Sequence, residues 1–322
     1  QKPTRKPWGG GNQFLLSLIK FLEDRDFKVN FKLTNETDLI FIVNTKSAFS
    51  KVRLRDRIRG LPIVTFGLDE VLSIKKHSPN IPCIHRINDC SASHDDTNYL
   101  FLDDLFAAIN KISDHSIFIS SWLSNYFKDN WNKFPKNYSI IVNNVDKKLF
   151  NDNGYEEWDG KQPLKVVTHH WSSNINKGFL VYKQIDDLIN ERKLNNISMT
   201  LIGNIPKELS WKSSKTLSPL SGEALSSKLK ENHVYITASI NEPCGMHWLE
   251  GVRSGLPLIY SKNGGAIAEL GKHYGCSFDD NLIVTFRDMQ KNYYKYRKSL
   301  ISMNKNADNM NQKYLDIIKE YL

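Results

Sequence analysis

A chain of 322 residues is too long for one ordinary core and fits two domains of about 150 residues each. With 40% hydrophobic and 11% aromatic residues it can bury real cores, which excludes a disordered polymer, and no apolar run approaches the roughly 20 residues of a membrane-spanning helix. Forty-four Lys and Arg against 35 Asp and Glu leave a net charge of +9, which suits an anionic partner such as a nucleotide, a phospholipid surface or a nucleic acid, or solubility alone.

The chain opens on Gln1-Lys-Pro with no initiator Met and no strand ahead of its glycine loop, so upstream residues, including a first strand, are expected. Leu15, Leu16, Leu18, Ile19 and Leu22 form the apolar stripe of a helix, which puts Gly9 and Gly10 at its N-terminus, where backbone N–H groups can receive phosphate. Phe27–Leu33 alternates like a strand, and Leu39–Val43 and Ile63–Phe66 are short apolar runs of the kind covered on both faces. The densest basic cluster, Lys51–Arg59, carries interleaved apolar residues and reads as the solvated face of a helix rather than a nucleic-acid arm. Ile81–Asp89 is a strand ending in polar residues, and strand carboxyl ends are where open α/β sheets bind ligands. His85 lies on it, either as a site residue or as a histidine satisfied inside the fold. A helix over Tyr99–Ser113, a strand within Asp114–Trp122 and another within Tyr138–Asp146 complete the first half.

Residues 148–163 are polar and punctuated by Gly154, Gly160 and Pro163, which reads as a linker. The strand Leu164–Thr168 starts a second α/β half; the loop His169-His170-Trp171 through Lys177-Gly178, a helix over 178–191 and the strand Ser198–Ile202 follow. Two adjacent histidines raise a metal, but no third ligand stands at a sensible spacing. Cys83, Cys90, Cys244 and Cys276 show no Cys-x-x-Cys spacing and fit free thiols in a reducing compartment. With no signal peptide in view, the expected location is cytoplasmic, with a membrane surface as a peripheral alternative.

His233–Ser239 and Pro257–Tyr260 read as strands with a helix between them, opened near Pro243 and stopped by Gly255 and Pro257. Glu242 then lies on the loop and Glu250 inside the helix, with exposed N–H groups between two carboxylates, a place for a polyhydroxylated anion. Two solvated glutamates on an ordinary strand-loop-helix unit are the plain alternative. Ser261–Glu269 is a second Gly-rich turn from strand to helix, so two such loops line one crevice of a parallel sheet. From Met289 to Leu322 the period is helical.

Taken together, Glu242-Pro-Cys-Gly245, Glu250-Gly251, Ser254-Gly-Leu-Pro257 and Asn263-Gly-Gly265 with Glu269 resemble the signature of retaining GT-B glycosyltransferases of the family 4 type. Those enzymes carry Glu-Pro-Phe-Gly, a second Glu after seven intervening residues, Gly-x-Pro and Gly-Gly-x-x-Glu. Weaker matches extend the resemblance to the Gly9-Gly10 loop, to His85 at the family's histidine near the donor sugar, and to Lys177-Gly178 of the Gly-Arg-Leu to Lys-Gly loop. Two departures stand out. Asn144 replaces the glycine of the family's Ile-Pro-Asn-Gly-Val-Asp, which asparagine's tolerance of the left-handed conformation permits, and the loop lacks the arginine that partners the lysine on the donor diphosphate. His169, His170 or an arginine from elsewhere would have to compensate.

The resemblance implies two Rossmann-like domains facing each other across a cleft: residues 1–147 on the acceptor side, the linker 148–163, a nucleotide-sugar domain over 164–288, and C-terminal helices over 289–322 that pack back on the first domain. It implies transfer of a sugar from a nucleotide-diphosphate sugar to an acceptor hydroxyl, glycan or lipid-linked, with no metal, no cofactor besides the donor and no nucleic-acid partner. His85, Lys177 and Glu242 would be catalytic. Gly9, Gly10, Lys177, Cys244, Gly245, Met246 and Glu250 would hold the donor, Glu250 on the ribose hydroxyls, and both domains would close on it. A nucleotide-sugar epimerase of the same fold, or a binding protein that keeps the fold without catalysis, are the alternatives.

Overall fold

The computed structural model describes residues 10–32, 34, 36–43, 68–95, 99–305 and 309–322. Gly9, the basic segment 51–59 and the apolar run 63–66 lie outside them. The described elements, in chain order, begin with α1 (Gly10–Glu23), β1 (Ile40–Val43), α2 (Leu68–His77), β2 (Cys83–Ile87), α3 (Leu102–Asn110), β3 (His115–Phe118), α4 (Ser121–Asn130) and β4 (Tyr138–Ile140). They continue with β5 (Leu164–His170), α5 (Phe179–Asn190), β6 (Ile197–Gly203), β7 (Lys215–Leu217), α6 (Gly222–Lys230), β8 (Val234–Thr237), α7 (Met246–Arg253), β9 (Leu258–Ser261), α8 (Ala266–Leu270), β10 (Gly275–Phe278), α9 (Leu282–Lys305) and α10 (Met310–Glu320). The chain divides into two compact units, Gln1–Ser91 with Asp96–Asn143 and Asn309–Leu322, and Ala92–Asp95 with Asn144–Asp308.

In the first unit β1, β2, β3 and β4 form a parallel sheet in that order. The stripe read on α1 is realised: Phe14, Leu18 and Leu22 are buried with Val43, Ile84, Ile117 and Ile141 and, from the far end of the chain, Met310, Tyr314, Leu315, Ile317 and Ile318 of α10. Each such side chain removed from water contributes about 1.5–3 kcal/mol. Arg86 on β2 is only 1% exposed, so its charge needs partners; Tyr314 Oη and Asn143 Oδ1 accept from it at 3.0 and 2.8 Å, and its guanidinium lies 3.7 Å from the centre of the Phe14 ring. Asn309 opens α10 by accepting the Gln312 N–H at 3.3 Å.

One expected strand is not formed. Residues 27–32 alternate as read, and Phe27 and Val29 pack on the first core, but the stretch pairs with no described strand and its Lys28 instead reaches Glu36 at 3.2 Å. Side-chain alternation alone does not make a strand without a ladder partner.

The second unit holds a six-stranded parallel sheet in the order β10-β9-β8-β5-β6-β7. From β5 the chain moves to β6 on one side, whereas from β8 it moves to β9 on the other, so the strand order reverses between β5 and β8. The loops leaving these two strands part there, and open α/β sheets bind ligands at that point. The core carries Val166, Phe179, Tyr182, Ile236 and Phe286. The loop-like segment 148–163 packs on this unit: Trp158 is 7% exposed within the core, and Arg297 of α9 pairs with Asp152 and Glu157 at 3.1 and 3.3 Å. Asp186 on α5 has no exposed side-chain surface. Burial alone would raise its pKa, but the N–H groups of Lys212, Ser213 and Ser214, at 2.7 to 2.9 Å, hold it below the usual carboxylate value.

Candidate functional site

β5 runs two residues past the apolar stretch that announces it, so His169 and His170 are strand residues rather than loop residues. The strand can carry them because each ring finds partners. His170 Nε2 lies 2.9 Å from Tyr182 Oη and 3.1 Å from Thr168 Oγ1, and His169 Nδ1 lies 3.1 Å from Tyr235 Oη. The loop that follows closes on a short 3-10 turn, Ile175–Lys177, where Asn174 Oδ1 accepts the Asn176 N–H at 2.7 Å. Gly178 then turns the chain into α5 with φ of 91°, and a Cβ there would sit 2.4 Å from Ala238 Cβ at the end of β8.

Backbone hydrogen bonds stitch three successive strand-end loops together. Ile240 N–H donates to Asn176 O at 2.8 Å, Asn241 N–H to Asn263 O and Glu242 N–H to Gly264 O at 3.2 Å, and Ala266 N–H to Glu242 O at 3.0 Å. This lattice places the Lys177 ammonium against Glu242 Oε2 as an ion pair, with the side chains 22% and 14% exposed. Burial would raise the Glu242 carboxyl; the Lys177 cation beside it reverses that and holds it below the ordinary glutamate value.

α7 starts at Met246, three residues after Pro243, with Gly245 at its cap, no side-chain cap bond, and its first-turn N–H groups as its positive end. Gly245 has no room for a side chain, since a Cβ would meet His247 Cε1 at 2.4 Å and Glu242 Cγ at 3.1 Å. One turn on, Glu250 Oε2 meets His169 Nε2 at 2.7 Å, linking the helix after β8 to the end of β5. His247 completes the floor: its Nε2 is 3.0 Å from Thr237 Oγ1 and its ring centre 4.7 Å from that of His170. Among the described residues, no group of three or more His, Cys, Asp or Glu is arranged to hold a metal ion.

Burial pushes His247 down to about 3 and His170 well below the ordinary histidine value, so neither supplies a cation in place of the absent arginine near neutral pH. His85 is pushed to about 3 by burial, and His233, whose Nδ1 accepts the Lys165 N–H at 3.0 Å, to about 4. These rings are neutral when folded and take a proton when unfolded below about 6.5, so their stabilisation is present above that pH and is lost toward pH 3–4, at about 1.4 kcal/mol per pH unit for each group. Melting temperature should therefore fall steadily from pH 7 to pH 5, and His233→Gln should flatten the slope. A melting temperature independent of pH over that range would contradict the buried neutral rings.

Lys177, Glu242, Cys244, Gly245, Met246 and Glu250 are thus gathered in the second unit at the reversal of strand order. Gly10 and His85 belong to the first: Gly10 is the first residue of α1, and His85 sits mid-strand on β2, 1% exposed, with Phe106 edge-on at 5.5 Å.

No family model matches the chain, and no curated protein does. Solved structures do match. HepE from Anabaena, in complex with UDP-glucose, aligns with a TM-score of 0.66 over 99% of this chain and 98% of that one at 14% identity. WaaG, a glycosyltransferase involved in lipopolysaccharide biosynthesis, aligns at 0.65 over 97% and 96%, also at 14% identity. The chain has the GT-B fold. Sucrose-phosphate synthase from Thermosynechococcus elongatus shares this GT-B architecture more loosely, with a TM-score of 0.58, 13% identity and 76% and 69% of the two chains covered. At these identities the likeness concerns the fold, and any chemistry rests on the residues above. His169, Tyr235 and His247 escaped the sequence reading as a connected set. The adjacency of β5 and β8 joins His169 to Tyr235 and the packing of α7 brings in His247, and no spacing signals either.

Proposed function

We propose that this chain is a glycosyltransferase that moves a sugar from a nucleotide-diphosphate donor to an acceptor hydroxyl, with retention at the anomeric carbon and without a bound metal. The observation that carries this reading is the pairing of Lys177 with Glu242 on stitched strand-end loops, with Glu250, one turn into α7, held by His169, at the reversal of strand order. The fold shared with a UDP-glucose complex supports the donor class.

In this reading Glu250 accepts hydrogen bonds from the ribose diol, a task suited to a carboxylate. Lys177 and the first-turn amides of α7 meet the diphosphate, and Glu242 with the Cys244–Met246 backbone faces the sugar. The bond from the anomeric carbon to the diphosphate oxygen breaks as the acceptor oxygen bonds to the same face. The acceptor proton passes to the departing phosphate oxygen. The protein contributes orientation and a fixed field rather than a nucleophile.

A thermal melt with UDP, GDP and ADP sugars tests the donor, since a ligand at a hundredfold excess over its Kd adds about 2.7 kcal/mol to the folded state. One sugar nucleotide should raise the melting temperature, and Glu250→Ala should weaken its binding by about 1–3 kcal/mol in calorimetry. No shift with any of them would overturn the reading, and an unchanged affinity in Glu250→Ala would remove that residue from the site. Donor isomerised without acceptor would point to an epimerase, and donor bound without turnover to a binding protein.

A further inference from the structure

We propose that His169 is a positioning residue that fixes the carboxylate of Glu250 for recognition of a ribose diol, an inference that rests on the donor reading above. Two independent features of the geometry carry it. The first is the asymmetry of Glu250: Oε2 is taken by His169 Nε2 at 2.7 Å, whereas among the described residues nothing bonds Oε1, and the side chain keeps 13% of its surface exposed. Here one oxygen is held and the other is left to a ligand.

The second feature is the support behind the ring. The Tyr235 hydroxyl lies 3.1 Å from His169 Nδ1, and the backbone N–H of His169 donates to that same hydroxyl at 3.1 Å. The hydroxyl also faces the His169 carbonyl oxygen at 3.3 Å; when it donates its hydrogen bond to the nearer Nδ1, the neutral imidazole carries its hydrogen on Nε2 and points it at Glu250, so the hydroxyl sets both the tautomer and the rotation of the ring. Tyr235 stands on β8 and is fully buried, with its phenol pushed well above the ordinary tyrosine value by burial, so it remains the neutral donor this arrangement needs. The relay of a buried tyrosine, a histidine and a carboxylate is how a ligand-binding group is held in one orientation before the ligand arrives. It also gives the histidine at the end of β5 a task other than replacing the absent arginine.

The test is selectivity rather than affinity alone. Binding of UDP, GDP and ADP, each beside its 2′,3′-dideoxy form, is measured calorimetrically for the wild type, His169→Phe, His169→Gln and Tyr235→Phe, with a melting temperature for every variant. The wild type should prefer a ribonucleotide over its dideoxy form. His169→Phe, which keeps the ring volume but removes the donor, should lose that preference roughly tenfold while binding the dideoxy nucleotide within twofold of wild type. His169→Gln, which restores a side-chain N–H, should recover most of it. Tyr235→Phe should show a smaller loss in the same direction, and it decides the matter if His169→Phe does not fold. A wild-type preference that survives intact in the variants overturns the role of His169 and leaves the donor reading standing. A wild type that binds none of the nucleotides, or shows no ribose preference, overturns both.

Discussion

Lys177→Ala is expected to lower turnover about 10²–10³-fold at saturating donor, the magnitude typical for loss of one preorganised charge on a developing anion, while donor affinity changes far less. The lysine stands on the loop after β5 with its ammonium against Glu242, where charge on a departing diphosphate would be felt most. The same substitution leaves the largely buried Glu242 carboxylate without its cation, and breaking a buried pair commonly costs about 3–5 kcal/mol. The double variant Lys177→Ala with Glu242→Gln identifies the source of the stability loss: melting temperature should recover once the stranded carboxylate is neutral. Wild-type turnover in Lys177→Ala would place the phosphate clamp elsewhere.

Gly265→Ala is expected to destabilise the second unit by about 2–6 kcal/mol, combining about 1–3 for backbone strain with about 1–3 for overpacking. Gly265 holds φ of 75° and ψ of −128°, and a Cβ there would stand 2.5 Å from Glu242 O and 2.6 Å from Glu242 N. Those are backbone atoms, so relief requires the Glu242 loop to move, and donor binding should weaken along with stability. Gly154→Ala is the control: its φ is also positive at 74°, but a Cβ there meets nothing within 4 Å. Equal melting temperatures for the two variants would show that the zipped loops tolerate separation.

Much of the second unit's architecture was legible because its candidate site residues stand beside punctuation. Gly178 after Lys177, Pro243 after Glu242 and the Gly264-Gly265 pair each mark where a strand gives way to a helix, and the helix period then carries Glu250 one turn down. What the sequence concealed depends on sheet order. His169 and Glu250 are 81 residues apart, and their meeting follows from β5 lying beside β8. The apolar run suggested that β5 stops at Thr168, whereas partners contributed by Tyr182 and Tyr235 let it continue through two histidines. The segment 148–163 shows the opposite limit: its polar, glycine-marked composition hides Trp158 and the acidic partners of Arg297, contacts made with a helix more than a hundred residues later. At the two edges of the sheet, β7 has only three residues, and β10, Gly275-Cys-Ser-Phe278, lacks the continuous apolar run that marks the four-residue strands β8 and β9.

The contribution of α10 to the first unit sets an order of events during synthesis. Chains emerge from the ribosome N-terminus first, and domains ordinarily fold as they appear. Here the core around Phe14 and Arg86 lacks Tyr314, Leu315 and Ile318 until α10 has been made, whereas the second unit, apart from Ala92–Asp95, is a continuous stretch from Asn144 to Asp308 that precedes it. The part encoded second can therefore close first, and the part encoded first must wait, with its sheet incompletely covered, for α10. Nascent chains stalled before residue 310 should accordingly keep the first unit open to protease and to chaperones while the second is already protected.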